Sequence, residues 1–250
     1  MRVLFLSKKK LKQNVLLGSF LVLTLALLTV FLTQQPQTQT TITSKMHPVY
    51  KVKTDEQVVA LTFDISWGKE IHEPVADILA ENDLQCTFFL SGPWAKENTE
   101  YVNRLIKDGH EIASHGHRHI DLDKQPVDTI KEEILTAHNT LKEITGKEVN
   151  LIRVPNGAYN DNVINTAKEL NYSTIQWSVD SLDWKKPGEG AIIDRVLRLI
   201  EPGSIILMHA SDSCPDTPGA LPKVIEGIKD KGYQIITVSE LLKKGPGTTD

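Results

Sequence analysis

Two cysteines in 250 residues are too few for a disulfide framework or a cysteine-rich zinc module. Cys86 opens the apolar run Cys86-Thr87-Phe88-Phe89-Leu90, while Cys214 follows a different strand at its far end, so both are expected as free thiols. No Gly-x-Gly-x-x-Gly or Walker loop occurs, which leaves nucleotide binding without support. Heptads and internal repeats are missing too, which argues against coiled coils and solenoids. Acidic residues are absent from the first 45 positions, which carry six Lys/Arg; the remainder holds 22 basic against 32 acidic side chains, a net −10. A domain of that sign is a poor partner for nucleic acid.

What is present begins with the N-terminus. Residues 1–14 form a basic segment, taken as cytoplasmic, and Val15 to Thr33 is an uncharged run. As a helix the run spans roughly 28 Å at about 1.5 Å per residue, close to the ~30 Å of a bilayer core. It is expected to be an uncleaved transmembrane signal-anchor, with the positive-inside rule placing the rest of the chain outside the cytoplasm on a single-pass membrane protein. The rival is a cleaved signal peptide and a secreted product, but Val30-Phe31-Leu32-Thr33-Gln34 supplies no convincing small-x-small site. Residues 34–50, Gln/Thr-rich at first, read as a linker. Residues 51–245 read as one folded domain and 246–250 as a tail.

From Val58 onward, apolar runs of strand length alternate with stretches of helical period. Strands are expected at Val58–Phe63, Cys86–Leu90, Glu111–Ser114, Asn150–Val154, Ser173–Val179, Ser204–Met208 and Gln234–Val238. Helices are expected at Glu70–Asn82, Trp94–Lys107, Val127–Thr145, Asn160–Leu170, Ala191–Ile200 and Leu221–Asp230, followed by a turn capped by Ser239. Six or seven βα units in succession imply an α/β fold with a parallel sheet, doubly wound or closed into a barrel. At 40% hydrophobic content the chain can bury one large core.

The stretch Ser114-His115-Gly116-His117-Arg118-His119 is the focus of the chemistry. His115 and His119 lie four apart, a metal-ligand spacing that one helical turn would bring to a single face. His117 points off that face. If the strands are parallel, their C-terminal ends share one rim, and that rim collects Asp64 and Ser66, His115 and His119, Arg153, Asp180 and Asp183 with Trp184, and His209.

These residues fall in five ordered motifs: Thr62-Phe63-Asp64, His115-x-x-x-His119, Arg153-x-Pro155, Asp180-x-x-Asp183-Trp184 and Leu207-x-His209. Together they resemble the NodB-homology polysaccharide deacetylases, carbohydrate esterase family 4, over about Val58 to Leu242. Leu61-Thr62-Phe63-Asp64-Ile65-Ser66-Trp67-Gly68 and the histidine stretch are most similar to the PdaB-type, sporulation-associated branch. The resemblance implies a distorted (β/α)7 barrel of the NodB-homology type and a monomer that removes N-acetyl groups from cell-wall polysaccharide, peptidoglycan or a chitin-like polymer. It implies His115 and His119 as ligands of a divalent metal, zinc being the expected ion. Asp64 is then the general base and His209 the general acid, with Arg153 orienting Asp64 and Asp180 supporting the charged form of His209. Leu207 and Trp184 wall the acetyl pocket, and Asp183 and Tyr159 join the substrate groove. One position departs from the pattern. Where the family usually carries a second aspartate as third metal ligand, this chain has Ile65, which cannot coordinate. That leaves a weakly active or non-catalytic glycan-binding member as the alternative.

Overall fold

The computed structural model describes residues 47–249. The expected basic segment, the anchor at 15–33 and most of the linker lie outside the described residues. Among the described residues no helix is long and apolar enough to cross a membrane.

The elements in chain order are β1 (Lys51–Val52), β2 (Val58–Ile65), α1 (His72–Glu81), β3 (Thr87–Leu90), α2 (Gly92–Glu97), α3 (Thr99–Lys107), β4 (Glu111–Ser114), α4 (Val127–Thr145), β5 (Leu151–Ile152) and α5 (Asp161–Glu169). They continue with β6 (Ser173–Thr174), β7 (Val179–Asp180), α6 (Glu189–Leu199), β8 (Ile205–His209), α7 (Thr217–Asp230), β9 (Gln234–Ile236), α8 (Val238–Leu241) and β10 (Gly247–Thr248). One parallel sheet has the order β6-β5-β4-β3-β2-β8-β7, with β9 also paired to β2. Strand β2 is its axis: residues 58–60 pair with β9, 62–65 with β3 and 60–64 with β8.

Both faces of β2 are buried, as expected of a central parallel strand. Its period of two divides the core. Val59, Leu61, Phe63 and Ile65 join Phe88 and Leu90 in the larger cluster, which takes in the helices. Val58 and Ala60 join Phe89, Ala113, Leu151, Ile205 and Ile236 in the second. Thr62 and Asp64 share the register of this second set, so alternation alone turns the Asp64 carboxylate inward.

Three expectations need correction. The helix expected over Trp94–Lys107 is two helices broken at Asn98, whose backbone leaves helical geometry (φ −118°, ψ 38°) and whose Nδ2 donates to the carbonyl of Trp94. The strand expected over Ser173–Val179 is interrupted between β6 and β7. These two sit at opposite ends of the sheet path, so the sheet is curled but not closed by hydrogen bonds into a seven-stranded barrel. The last turn is capped by Thr237, not Ser239, through a reciprocal box with Glu240.

Residues assigned from sequence to linker and tail take part in this fold. The Val49 amide donates to Thr174 and its carbonyl accepts from Gln176, while the Val52 amide donates to Gly203, so residues 49–52 lie between β6 and β8. Strand β1 pairs antiparallel with β10 inside the expected tail. Both cysteines are free, as expected, and both are buried.

Candidate active site

Asp64, Ser66, Trp67, His115, His119, Val154, Asn156, Gly157, Trp177, Asp180, Trp184, Leu207, His209, Ser211 and Ser213 line one cavity of about 440 Å³. Side chains drawn from β2, β7 and β8 and from the segments that follow β2, β4, β5, β6, β7 and β8 therefore meet at the carboxyl ends of parallel strands.

At one wall stands Asp64. Its Oδ1 accepts from Arg153 Nη1 at 2.7 Å, and its Oδ2 is 3.6 Å from His115 Nε2. Burial would raise its pKa, but Arg153, then His115 and His209, outweigh that and hold the carboxyl below its ordinary range. Arg153 has no solvent exposure; Nη1 also donates to Thr62 Oγ1 and Nη2 to the Gln176 carbonyl, while Phe89 packs on the guanidinium at 4.1 Å. It is thus a buried partner of Asp64 and does not line the cavity.

His115 Nδ1 lies 2.8 Å from the Arg153 carbonyl oxygen, which can only accept. The proton is on Nδ1, and Nε2 keeps its lone pair. Burial pushes this imidazole down to about 4, so it is neutral at ordinary pH. His119 is also lowered by burial, and its ring centroid lies 5.1 Å from that of His115. The two meet without the expected helical turn. Residues 115–119 form an irregular segment with positive φ at Gly116 (75°) and His119 (53°), so the turn geometry and not a helix face brings the rings together.

Across the site, His209 Nδ1 is 2.7 Å from Asp183 Oδ1, and the His209 amide donates to Asp183 Oδ2, also at 2.7 Å. Burial opposes the charged imidazole, but the hydrogen bonds to Asp183 and Cys214 and the charge of Asp183 raise its pKa well above the histidine range. Asp183 further accepts from the Trp184 amide and Thr217 Oγ1. The role expected of Asp180 therefore belongs to Asp183, which is fully buried and outside the cavity lining. Asp180 lines the cavity, accepts from the Leu182 amide and gives its backbone carbonyl to Arg195. Tyr159 is also displaced from its expected place: its hydroxyl meets Tyr50 at 2.9 Å and it does not line the cavity. Leu207 and Trp184 do line it.

Residues 51–175 match the polysaccharide deacetylase family model. A peptidoglycan-N-acetylglucosamine deacetylase of Bacillus cereus is 33% identical over 197 residues, covering 78% of this chain and 92% of that one. The chain belongs to the polysaccharide deacetylase family. The YlxY protein of Bacillus subtilis is 35% identical over 195 residues, covering 78% of this chain, which spans 60% of that relative's length. Among solved structures, the wild-type BA3943 of Bacillus anthracis, described as a CE4 family pseudoenzyme, superposes with a TM-score of 0.75 at 31% identity, covering 79% of this chain and 69% of that one. A mutant of the same protein, described as having restored enzymatic activity, gives 0.75 at 32%, covering 79% and 72%.

Polysaccharide deacetylases of this family are metal-dependent. The donors here suit a divalent transition ion: a neutral buried imidazole with a free Nε2, a second imidazole beside it, and Asp64 Oδ2 facing the first. Ile65, at the position where the resemblance implies a third metal ligand, is fully buried in the larger core cluster and absent from the cavity lining. Asp183, His209 and Cys214 also bring ligand-type atoms within 4.8 Å of one another. In this structure the Asp183 oxygens already accept four hydrogen bonds, two of them from His209, so the acid is engaged in holding the imidazole.

Trp177, Asn156, Ser211 and Cys214 were missed in the sequence. Trp177 was hidden in what reads as an unbroken strand, and Cys214 carries no spacing signal.

Proposed function

We propose that the chain is a hydrolase that removes N-acetyl groups from cell-wall glycan, peptidoglycan or a chitin-like polymer. On this reading it works as a monomer outside the cytoplasm, held at the membrane by residues 15–33, and belongs to the sporulation-associated branch that its first two motifs resemble. The observation that carries the chemistry is the meeting in one cavity of Asp64 and His209, each held by its own buried counter-ion in the opposite protonation state. Titratable groups driven apart in this way are how one site supplies a base and an acid at the same pH.

Asp64, ionised by Arg153, takes a proton from the water that attacks the acetamide carbonyl carbon. As the C–N bond breaks, the electron pair leaves with nitrogen, and His209 donates the proton that makes the departing amine neutral. The products are acetate and a glucosamine-type unit. A divalent ion held by His115 and His119 would act as a Lewis acid on the carbonyl. Leu207 and Trp184 wall the space for the acetyl methyl, and Asp180 is placed to accept from a sugar hydroxyl.

A second reading, a weakly active or non-catalytic glycan binder, is favoured by the burial of Ile65 and by the likeness to the Bacillus anthracis pseudoenzyme. Acetate release from N-acetylglucosamine oligomers, measured with bound metal in the wild type and Asp64→Asn, separates the two. Release by the wild type and its loss in the variant support the enzyme. Equal release, or none while glycan still binds, supports the binder.

A further inference from the structure

The cavity rim carries a large apolar side chain that no step above uses. Trp67 is 47% exposed, yet it lines the cavity and sets its ring perpendicular to that of His119 (83°, centroids 5.0 Å apart). A single exposed tryptophan is unremarkable by itself; the support beneath this one is not. Asp212 receives the amides of Lys69, Glu70 and Ile71 at 2.8 to 3.1 Å, and the Trp94 indole donates to the Gly68 carbonyl at 2.9 Å. The Ser66 amide is tied to Ser211 Oγ. Gly68 holds φ +100°, and a Cβ there would run into the Asp212 carboxylate, so the loop is built to sit against Asp212. Five hydrogen bonds thus fix a segment whose most prominent side chain is left facing solvent.

We propose that Trp67 is a stacking platform for a pyranose ring of the bound glycan, and so a determinant of affinity for oligomers over single sugars. The inference rests on the glycan reading above. The axial C–H groups of a pyranose carry partial positive charge and pack on the electron-rich face of an indole. A platform already ordered by its loop loses little conformational freedom when the sugar arrives. Its position against His119 places that sugar beside the metal-ligating imidazoles, where a neighbouring unit of the same chain can present its acetamide to Asp64 and His209.

Binding of N-acetylglucosamine tetramer to the full chain, followed by tryptophan fluorescence with and without a chelator, tests this. Trp67→Ala is expected to weaken tetramer binding ten-fold or more, equal to about 1.4 kcal/mol, in both conditions. Trp67→Phe should recover most of the loss, and the monosaccharide should be affected far less than the tetramer. Two results overturn the proposal and leave the glycan reading intact. One is a Trp67→Ala variant that binds tetramer as the wild type does. The other is a loss seen only with metal present, which would make Trp67 a support for His119. A wild type that binds no oligomer overturns the glycan reading together with the proposal.

Discussion

Asp64 and Arg153 are buried and charged, and each is tolerable there only because of the other. Removing one partner of such a pair leaves the other charge without compensation, at about 3–5 kcal/mol. Asp64→Asn is therefore expected to lower the urea midpoint as well as abolish acetate release, and both should be measured. The histidines act in opposite directions with pH. His209 has its pKa raised on folding, so its contribution is complete below the ordinary histidine value of 6.5 and lost as pH rises through the folded value. His115 is pushed down to about 4, so its contribution is present above 6.5 and lost as pH falls towards 4. Asp64, lowered from 3.8, adds a contribution lost only in stronger acid. Stability measured by urea denaturation across pH should peak near the histidine range and fall on both sides. The rate of acetate release should be bell-shaped, its acid limb set by His115 and Asp64 and its alkaline limb by His209. Asp183→Asn should move the alkaline limb to lower pH and cut the rate by about 10²–10⁴-fold, whereas Asp180→Asn should leave that limb in place.

At the scale of elements, alternation along β2 determines what each residue can do. Asp64 falls on the inner register and Ile65 on the outer, packed among Phe63, Phe88 and Leu90. Ile65→Asp would bring a carboxylate into that apolar layer, and its expected signature in metal-free protein is a lower thermal midpoint, read by circular dichroism. The loop after β2 depends on Asp212, whose carboxyl is held low by three amides against the opposing effect of burial. Asp212→Ala leaves these donors to water and should speed hydrogen exchange at residues 69–71 while the sheet amides keep their protection. Breaks at Asn98 and at Ile175–Ser178 were not legible, because periodicity reports which face is buried and not where a backbone leaves its ladder.

For the whole molecule, the curled sheet leaves β6 and β7 apart, and residues 49–52 lie between β6 and β8, with β10 holding β1. Deleting residues 246–250 should therefore lower the thermal midpoint even though the deletion touches no cavity residue. A domain with this excess of acid is also expected to prefer partly deacetylated, amine-bearing oligomers at low salt, a preference that fades as ionic strength rises.

The amino-acid order alone determined the βα alternation, the parallel sheet, the span of α4 and the gathering of Asp64, His115, His119 and His209 at one rim. All of these follow from local period and from the rule that parallel strands end on a common face. Tertiary structure decided which acid serves His209, since Asp180 and Asp183 are equivalent in spacing and only the fold sets Asp183 beneath the imidazole. It also decided that Tyr159 turns to Tyr50, that an irregular turn joins the two metal-type histidines, and that Trp67 stands on a fixed loop. Each of these depends on contacts between segments distant in sequence, whose partners no local pattern encodes.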